Sequence, residues 1–343
     1  MRSSRRTLAA AAAGLALALS LGACSSGGGA GGEDGTIEVN FGYIPDFNGT
    51  SLLAIAEDQG LWEEHGIDAT TSSFTNGPLQ IQALGTGDLD FGYIGPGAFW
   101  LPASGQAKVV ALNTLGRADR VVAQPGIESV EDLAGKTVAV PEGTSGDMIL
   151  TLALEEAGMT KDDVELVPME PPAIVAALSS GQVDAAGFWY PALATVKEQV
   201  PDLVELAQNS DFEETVAFPT AFVAGNDVVA DDPEKVDVVA DDPEKVDAVL
   251  KVLREAMAYR TENMDEAIAL TADFNDLDPA DVEADAANVD VLSVDEIDTL
   301  TQDGTTDTWL TGMQDYFVGS GQLPEAVDPS EFYLGDQFVK AGE

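Results

Sequence analysis

The chain has 343 residues, 45% of them hydrophobic and 22% charged, which is the balance of a globular protein rather than a disordered one. That length exceeds what one simple core holds and suits two lobes. With 61 acidic against 15 basic residues and a net charge of −46, the chain is a poor partner for nucleic acid or an anionic membrane surface, and its acid reads as a solvated coat.

The chain opens on a leader. Arg2, Arg5 and Arg6 make a positive start, and Leu8 to Leu21 is an apolar, alanine-rich stretch too short to span a bilayer comfortably. It ends in Leu21-Gly22-Ala23-Cys24, which resembles the lipobox of bacterial lipoproteins. The likeness implies a signal peptide over 1–23, cleaved ahead of a Cys24 whose sulfur takes the lipid. Cys24 is the sole cysteine, so the chain holds no intrachain disulfide. Ser4-Arg5-Arg6-Thr7-Leu8 partly resembles a twin-arginine export signal, which leaves two export routes open. The Ser/Gly-rich run over 24–35 reads as a flexible tether. The expected location is outside the cell, on the outer face of the cytoplasmic membrane, with the lipid as the only membrane attachment.

From Thr36 the pattern alternates between strand and helix. Strands are predicted over Thr36–Tyr43, Ile67–Phe74, Leu89–Ile94 and Lys108–Leu115, with helices over Ser51–His65 and Pro78–Leu84. The theme repeats with strands over Thr137–Val140, Val164–Val167 and Ala185–Phe188, and helices over Ser145–Ala157, Ala173–Leu178 and Pro191–Val200. Beyond Pro233 the chain reads mostly helical, over Val246–Tyr259, Met264–Phe274, Val294–Gln302 and Thr308–Phe317. The alternation predicts α/β lobes with mainly parallel sheets.

Two repeats stand out. Ala83–Asp90 (ALGTGDLD) and Ala177–Asp184 (ALSSGQVD), 94 residues apart, both end a helix, turn at a glycine and start a strand with aspartate, which predicts two related lobes. Val228–Asp237 reads VVADDPEKVD and is copied at once in Val238–Asp247; the first copy is expected to be an extruded surface loop.

Catalytic and metal constellations are missing. One histidine, His65, and a lipid-bearing cysteine build neither a Ser/His/Asp triad with a spare base nor a His/Cys metal cluster. No dinucleotide or Walker loop is present, and the segment Asp273–Asp278 fails as a calcium loop at Leu277. The expectation is a protein that is not an enzyme and needs no cofactor or metal.

Glu170-Pro171-Pro172-Ala173-Ile174-Val175-Ala176-Ala177, followed by Gly181 to Leu193 (GQVDAAGFWYPAL), closely resembles the taurine, alkanesulfonate and nitrate binding proteins of ABC importers, whose wider superfamily includes thiamine-pyrimidine synthases. Asp132 to Val140 (DLAGKTVAV) matches the family phrase that opens a second lobe, and Leu52–Gly66 and Gly85–Gly95 fit the same pattern. The resemblance covers roughly Ile37 to Tyr259. It implies a type-II periplasmic-binding fold, with two α/β lobes joined by a two-crossover hinge. Residues 36–115 plus 222–343 would form lobe 1 and residues 116–221 lobe 2. The implied function is an extracytoplasmic receptor that passes a small solute to permease and ATPase subunits, and the expected state is a monomer. An aliphatic sulfonate or taurine-like compound leads; nitrate, bicarbonate or a thiamine-precursor pyrimidine are the alternatives. The synthase chemistry needs a cysteine cluster and an active-site histidine, which this chain lacks.

In such a fold, strand ends and helix N-termini face the cleft, where free N–H groups and helix dipoles hold an anion. Four loops precede a helix and combine glycine with small hydroxyl or amide residues: Pro45-Asp46-Phe47-Asn48-Gly49-Thr50, Thr75-Asn76-Gly77, Gly95-Pro96-Gly97 and Gly143-Thr144-Ser145-Gly146; within them Asp46, Phe47, Asn48, Thr75, Asn76, Gly77, Gly95, Pro96, Thr144, Ser145 and Gly146 are singled out. These residues, with Glu170, Trp189 and Tyr190, are the candidate ligand contacts. Basic residues near the first crossover are few, namely Arg117 and Arg120. Many relatives carry aspartate where this chain has Tyr190, which puts taurine itself in question unless Asp46, Glu142, Asp147 or Glu170 supplies the charge.

Overall fold

The computed structural model describes residues 36–230, 239–240 and 243–343; the leader, Cys24 and the tether lie outside the described residues. In chain order come β1 (Ile37–Tyr43), α1 (Phe47–Asp58), α2 (Leu61–Glu64), β2 (Ile67–Ser73), α3 (Gly77–Thr86), β3 (Phe91–Ile94), α4 (Trp100–Ala103) and β4 (Lys108–Gly116). The chain then crosses into β5 (Asp119–Ala123), β6 (Thr137–Val140), α5 (Ser145–Glu156), β7 (Glu165–Pro168), α6 (Pro171–Ser179), β8 (Ala185–Trp189), α7 (Ala192–Gln199) and β9 (Val204–Gln208). It returns through β10 (Pro219–Ala224), the short pair β11 (Val229–Ala230) and β12 (Val239–Ala240), and α8 (Pro243–Glu262). The rest is α9 (Met264–Asn275), α10 (Pro279–Ala286), β13 (Val289–Val291), α11 (Val294–Gln302), α12 (Thr305–Gly319) and α13 (Gly335–Lys340).

The strands form two main sheets, ordered β13-β4-β10-β3-β1-β2 and β7-β6-β8-β5-β9. Without the edge strand β13, the orders β2-β1-β3-β10-β4 and β7-β6-β8-β5-β9 correspond strand for strand. The repeat seen in the sequence has a shared job. Asp90 Oδ2 accepts the Asn40 N–H at 2.7 Å and Asp184 Oδ2 accepts the Thr137 N–H at 2.9 Å. Gly87 and Gly181 both turn the chain at positive φ, 73° and 68°, a conformation glycine adopts without steric cost. The fold is therefore a pair of related α/β lobes joined by two crossovers, the arrangement expected of a type-II periplasmic-binding fold.

Two expectations need correction. The mainly parallel sheets expected are each interrupted by one reversed crossover strand, and β13 joins the edge of the first sheet antiparallel. β2 and β3 run parallel to β1, but β10 is antiparallel to both β3 and β4. In the second sheet β5 likewise runs antiparallel to β8 and β9. The crossover strands enter each sheet from the far lobe, so their direction is reversed. β10 also lies wholly in the first sheet, so its first residues precede the expected lobe boundary at 221/222. The second correction concerns the tandem copy. Val228 and Val229 are buried in the first lobe's core, and β11 pairs antiparallel with β12, so the same Val-Ala pair of each copy faces the other. The middle of the first copy lies outside the described residues.

α1 is buried on all sides because it is wedged between its sheet and α8 and α9; every residue from Phe47 to Ala56 is buried. Beneath it, Phe41, Phe91 and Phe222 from β1, β3 and β10 meet with ring centroids 5.7 Å apart. Each such pair adds about 1 kcal/mol beyond its buried area. In the second lobe, α5 lies so close to β8 that a Cβ on Gly146 would stand 2.4 Å from the Gly187 carbonyl oxygen. Only glycine fits at that crossing.

Candidate functional site

Both lobes and both crossovers meet around a small cavity of about 40 Å³. Asp46, Asn48, Gly77, Gly95 and Pro96 line it from the first lobe, and Thr144, Ser145, Trp189 and Tyr190 from the second. Tyr93, Gly116, Ala118, Asp119 and Thr220 complete the wall. An adjoining hollow of about 490 Å³ shares Asp46 and Trp189 and continues past Thr75, Pro171 and Leu277.

Asp46 stands between β1 and α1 as the helix N-cap, and its Oδ1 accepts the Gly49 N–H at 2.6 Å. Next to it, Asp285 Oδ2 accepts the Phe47 N–H at 2.7 Å. Two carboxylates thus occupy the N–H groups that would otherwise face an anion at this helix end. Asn48 is tied down from behind, its Oδ1 accepting the Thr114 hydroxyl at 2.8 Å. Thr114 in turn lies 2.8 Å from the Thr220 hydroxyl.

Asp119 begins β5 at the first crossover. Its N–H donates to Asn209 Oδ1 at 2.8 Å, and its Oδ2 accepts from Asn209 Nδ2 at 3.0 Å. The other oxygen, Oδ1, is buried without a well-aligned hydrogen bond, although the Ser145 hydroxyl interacts with the same carboxyl. Burial, foremost, then the charges of Asp285 and Asp119, push Asp46 well above the usual carboxylate range. Burial raises Asp119 as well, against the pull of Ser145, Asn209 and Arg120. Asp285 is pushed up to about 7, by burial first and the Asp119 charge second. Burial and then Asp46 also hold the Tyr93 phenol well above its ordinary value.

The nearby cations are committed elsewhere. Arg117 pairs with Asp290 at 2.6 Å and Glu213 at 3.2 Å. Arg120 donates to the Arg117 carbonyl, to Asn288 Oδ1 at 2.8 Å and to Glu205 Oε2 at 3.2 Å. Lys197 contacts Glu205 and donates to the Tyr190 hydroxyl at 2.7 Å. Arg260 is fully buried behind α1, donating to Ser51 Oγ at 3.0 Å and the Asn113 carbonyl at 3.3 Å; burial lowers it to about 9. Among the described residues, no Lys, Arg or His lines the cavity or the adjoining hollow.

The lobes are closed on each other. A Cβ on Gly97 would stand 2.1 Å from the Thr144 carbonyl carbon, so backbone meets backbone there. Glu170 Oε2 accepts the Thr75 hydroxyl at 2.7 Å and Asn76 Nδ2 at 2.8 Å, bridging the lobes at the mouth. Trp189 ends β8 and is 9% exposed; Tyr190 follows, joined to Pro191 by a cis peptide bond. The Tyr190 ring has Lys197 Nζ at 5.2 Å and Arg120 Cζ at 5.9 Å from its centroid, within cation–π range.

The candidate residues therefore separate into three groups. Asp46, Asn48, Gly77, Gly95, Pro96, Thr144, Ser145, Trp189 and Tyr190 line one cavity. Thr75 and Asn76 both donate to Glu170 across the lobes, so those side chains are already partnered. Phe47 and Gly146 serve packing instead: Phe47 is fully buried in the first lobe's core, and Gly146 admits the Gly187 carbonyl. Of the acids named as substitutes for a missing aspartate, Asp46 alone lines the cavity; Asp147 is held by Lys161 at 2.5 Å and the Gly143 N–H at 3.1 Å. Asp119, Tyr93, Thr220 and Asp285 were missed. Asp119 and Thr220 sit in the crossover strands, whose short apolar runs gave no alternation. Asp285 is 238 residues from Phe47, its partner, and carries no local signal.

Comparison with known proteins agrees with this geometry. The family model described as NMT1/THI5 like matches residues 48–267. A protein of Brucella abortus (strain 2308), named as a binding protein, is 52% identical over 303 residues, covering 88% of this chain and 92% of its own. A Bacillus subtilis (strain 168) protein, named for binding aliphatic sulfonates, is 28% identical over 80% of each chain. The alkanesulfonate-binding protein SsuA from Xanthomonas axonopodis pv. citri, solved with MOPS, superposes with a TM-score of 0.65 at 22% identity, over 86% of this chain and 97% of its own. The desulfurization enzyme DSZB shares the fold too, with a TM-score of 0.61 at 16% identity, over 89% of this chain and 98% of its own.

Proposed function

Because the chain belongs to the NMT1/THI5-like family, we propose that it is the extracytoplasmic substrate-binding receptor of an ABC importer, catching a small organic solute of the taurine and sulfonate type between its lobes. The observation that carries this reading is the cavity itself. Its walls come from both lobes and both crossovers, so closure around a solute and presentation to a permease are one movement. Thr144 and Ser145 open α5, whose first-turn N–H groups and dipole favour an acidic group of the ligand. Trp189 supplies apolar surface in the same cavity. Relatives named for binding taurine and aliphatic sulfonates support the solute class.

The same reading places the mature protein outside the cell, tethered through Cys24. The second reading is an enzyme, raised by the DSZB neighbour. Nucleophilic chemistry of that kind needs a thiol or activated hydroxyl beside a base. The one histidine, His65, lies against Glu255 at 3.0 Å, and neither lines the cavity. A thermal-shift screen of the mature protein against sulfonates, amines, nitrate, bicarbonate and pyrimidines tests the receptor reading. One solute class should raise the melting temperature in proportion to the logarithm of its concentration. If no solute shifts it, the receptor reading fails.

A further inference from the structure

We infer that Asn288 is the pivot of the hinge and a positioning residue for the cavity. It joins the first crossover to the helix end from which Asp285 holds the cavity wall, so the angle between the lobes and the shape of the cavity are set together. The inference goes beyond the receptor reading and holds for whatever solute the cleft takes.

Asn288 bonds in two directions. Its carbonyl accepts the Arg117 N–H at 2.9 Å, and its Oδ1 accepts Arg120 Nη2 at 2.8 Å. Its own N–H donates to the Asp285 carbonyl at 2.8 Å, and its Nδ2 to the Ala284 carbonyl at 2.7 Å. The first two bonds reach the crossover between β4 and β5. The other two close the end of α10, whose last carbonyls have no partner within the helix. Asp285, 1% exposed, accepts the N–H of Phe47, which stands between Asp46 and Asn48 of the cavity wall. Further on, Asp290 pairs with Arg117 and lies opposite Leu115 in the β13–β4 ladder. Residues 285–290 thus touch the cavity wall, both crossover arginines and the edge of the first sheet. They lie beyond the span 48–267 that the family model matches.

Arg120 makes the joint stiff. Its guanidinium also donates to the Arg117 carbonyl at 2.6 Å, the Asp119 carbonyl at 2.8 Å and Glu205 Oε2 at 3.2 Å, and the residue is 9% exposed. A guanidinium presents its donors in a fixed planar fork, so partners on several sides hold its direction. With one partner charged, the bond to Asn288 is about twice as strong as a neutral one. Asn288 belongs to the first lobe through α10 and β13, and Arg120 to the second through β5. Domain closure is absorbed by a few residues at element ends, and this bond spans the two bodies at that place. A shift of Asn288 passes along the end of α10 to Asp285, and from there to the Phe47 N–H.

Pulsed electron–electron double resonance reads the lobe angle directly. Spin labels on Gln82→Cys in α3 and Ala176→Cys in α6, both exposed positions, report across the lobes in protein carrying Cys24→Ser. No solute is added, so the result bears on this inference and not on the receptor reading. Asn288→Ala should widen the interlobe distance distribution relative to the parent. Asn288→Asp keeps an oxygen for Arg120 and should retain the parent distribution. Hydrogen exchange at the Phe47 amide should quicken by about tenfold or more in Asn288→Ala and stay at the parent rate in Asn288→Asp. A folded Asn288→Ala with the parent distribution overturns the inference. So does an Asn288→Asp that widens it as far as alanine does, or a Phe47 exchange rate unmoved while the distribution widens. If Asn288→Ala does not fold, Arg120→Lys, which keeps the charge but loses the fork, must show the widening; the parent distribution in that variant overturns the inference.

Discussion

At the scale of single residues, the site is decided by a few side chains whose neighbours leave them unfinished. Trp189 is a large ring at a strand end, shared by the cavity and the hollow beside it. Trp189→Ala should weaken binding of the preferred solute by about 2 kcal/mol or more, the loss typical of a buried aromatic anchor, as read by calorimetry. Asp285 makes a prediction about pH. Its carboxyl is pushed up to about 7 by burial, so the folded state holds a proton that the unfolded chain releases near pH 4. Its contribution to stability is therefore full below about pH 4 and is lost as pH rises through about 7. The ligand-free melting temperature should fall by a few degrees between pH 5 and pH 8, and Asp285→Asn, which cannot ionise, should flatten part of that fall. The acidic coat adds a slope of its own, so the difference between parent and variant is the quantity to measure.

The reach of the sequence can be judged residue by residue. Glycine and small polar residues before a helix marked Asp46, Asn48, Gly95, Thr144 and Ser145, because capping and cleft lining use the same local chemistry. The same signal misled at Phe47 and Gly146, where the turn residue serves packing against another chain segment. Asp119 and Asp285 were illegible for a physical reason: what makes each unusual is burial and a distant partner, and neither leaves a mark within a few residues.

At the scale of elements, the echo between Ala83–Asp90 and Ala177–Asp184 was readable because a glycine turn and a strand-starting aspartate are local needs. The crossover strands β5 and β10 were not. Both are buried along their whole length, so they show no alternation. Closure depends on the 3-10 turn Pro96–Ala98 meeting the start of α5. Gly97→Ala would place a methyl group 2.1 Å from the Thr144 carbonyl carbon. The lobes should then stay apart, with binding weakened at least tenfold and the fold intact, since the clash lies between lobes. Small-angle scattering should show a larger radius of gyration for this variant than for the parent under saturating solute. An unchanged radius and affinity would show that the contact yields easily.

At the scale of the molecule, two like lobes are threaded by two crossovers, and the proposed ligand site is where the crossovers meet the cleft. Function is thereby coupled to a hinge that the sequence announces only through family phrases. The proposed anchor is separable from this machinery, because a Ser/Gly run stands between Cys24 and β1. Cys24→Ser should move the protein from the membrane fraction to the soluble fraction without altering solute affinity; retention after a salt wash would refute the lipid anchor.

The most direct test of the account is a crystal structure of the mature protein with the solute that raises its melting temperature most. The account predicts that solute enclosed between the lobes, its apolar part against Trp189 and its acidic group at the start of α5. A solute bound outside the cleft, touching one lobe only, would contradict it.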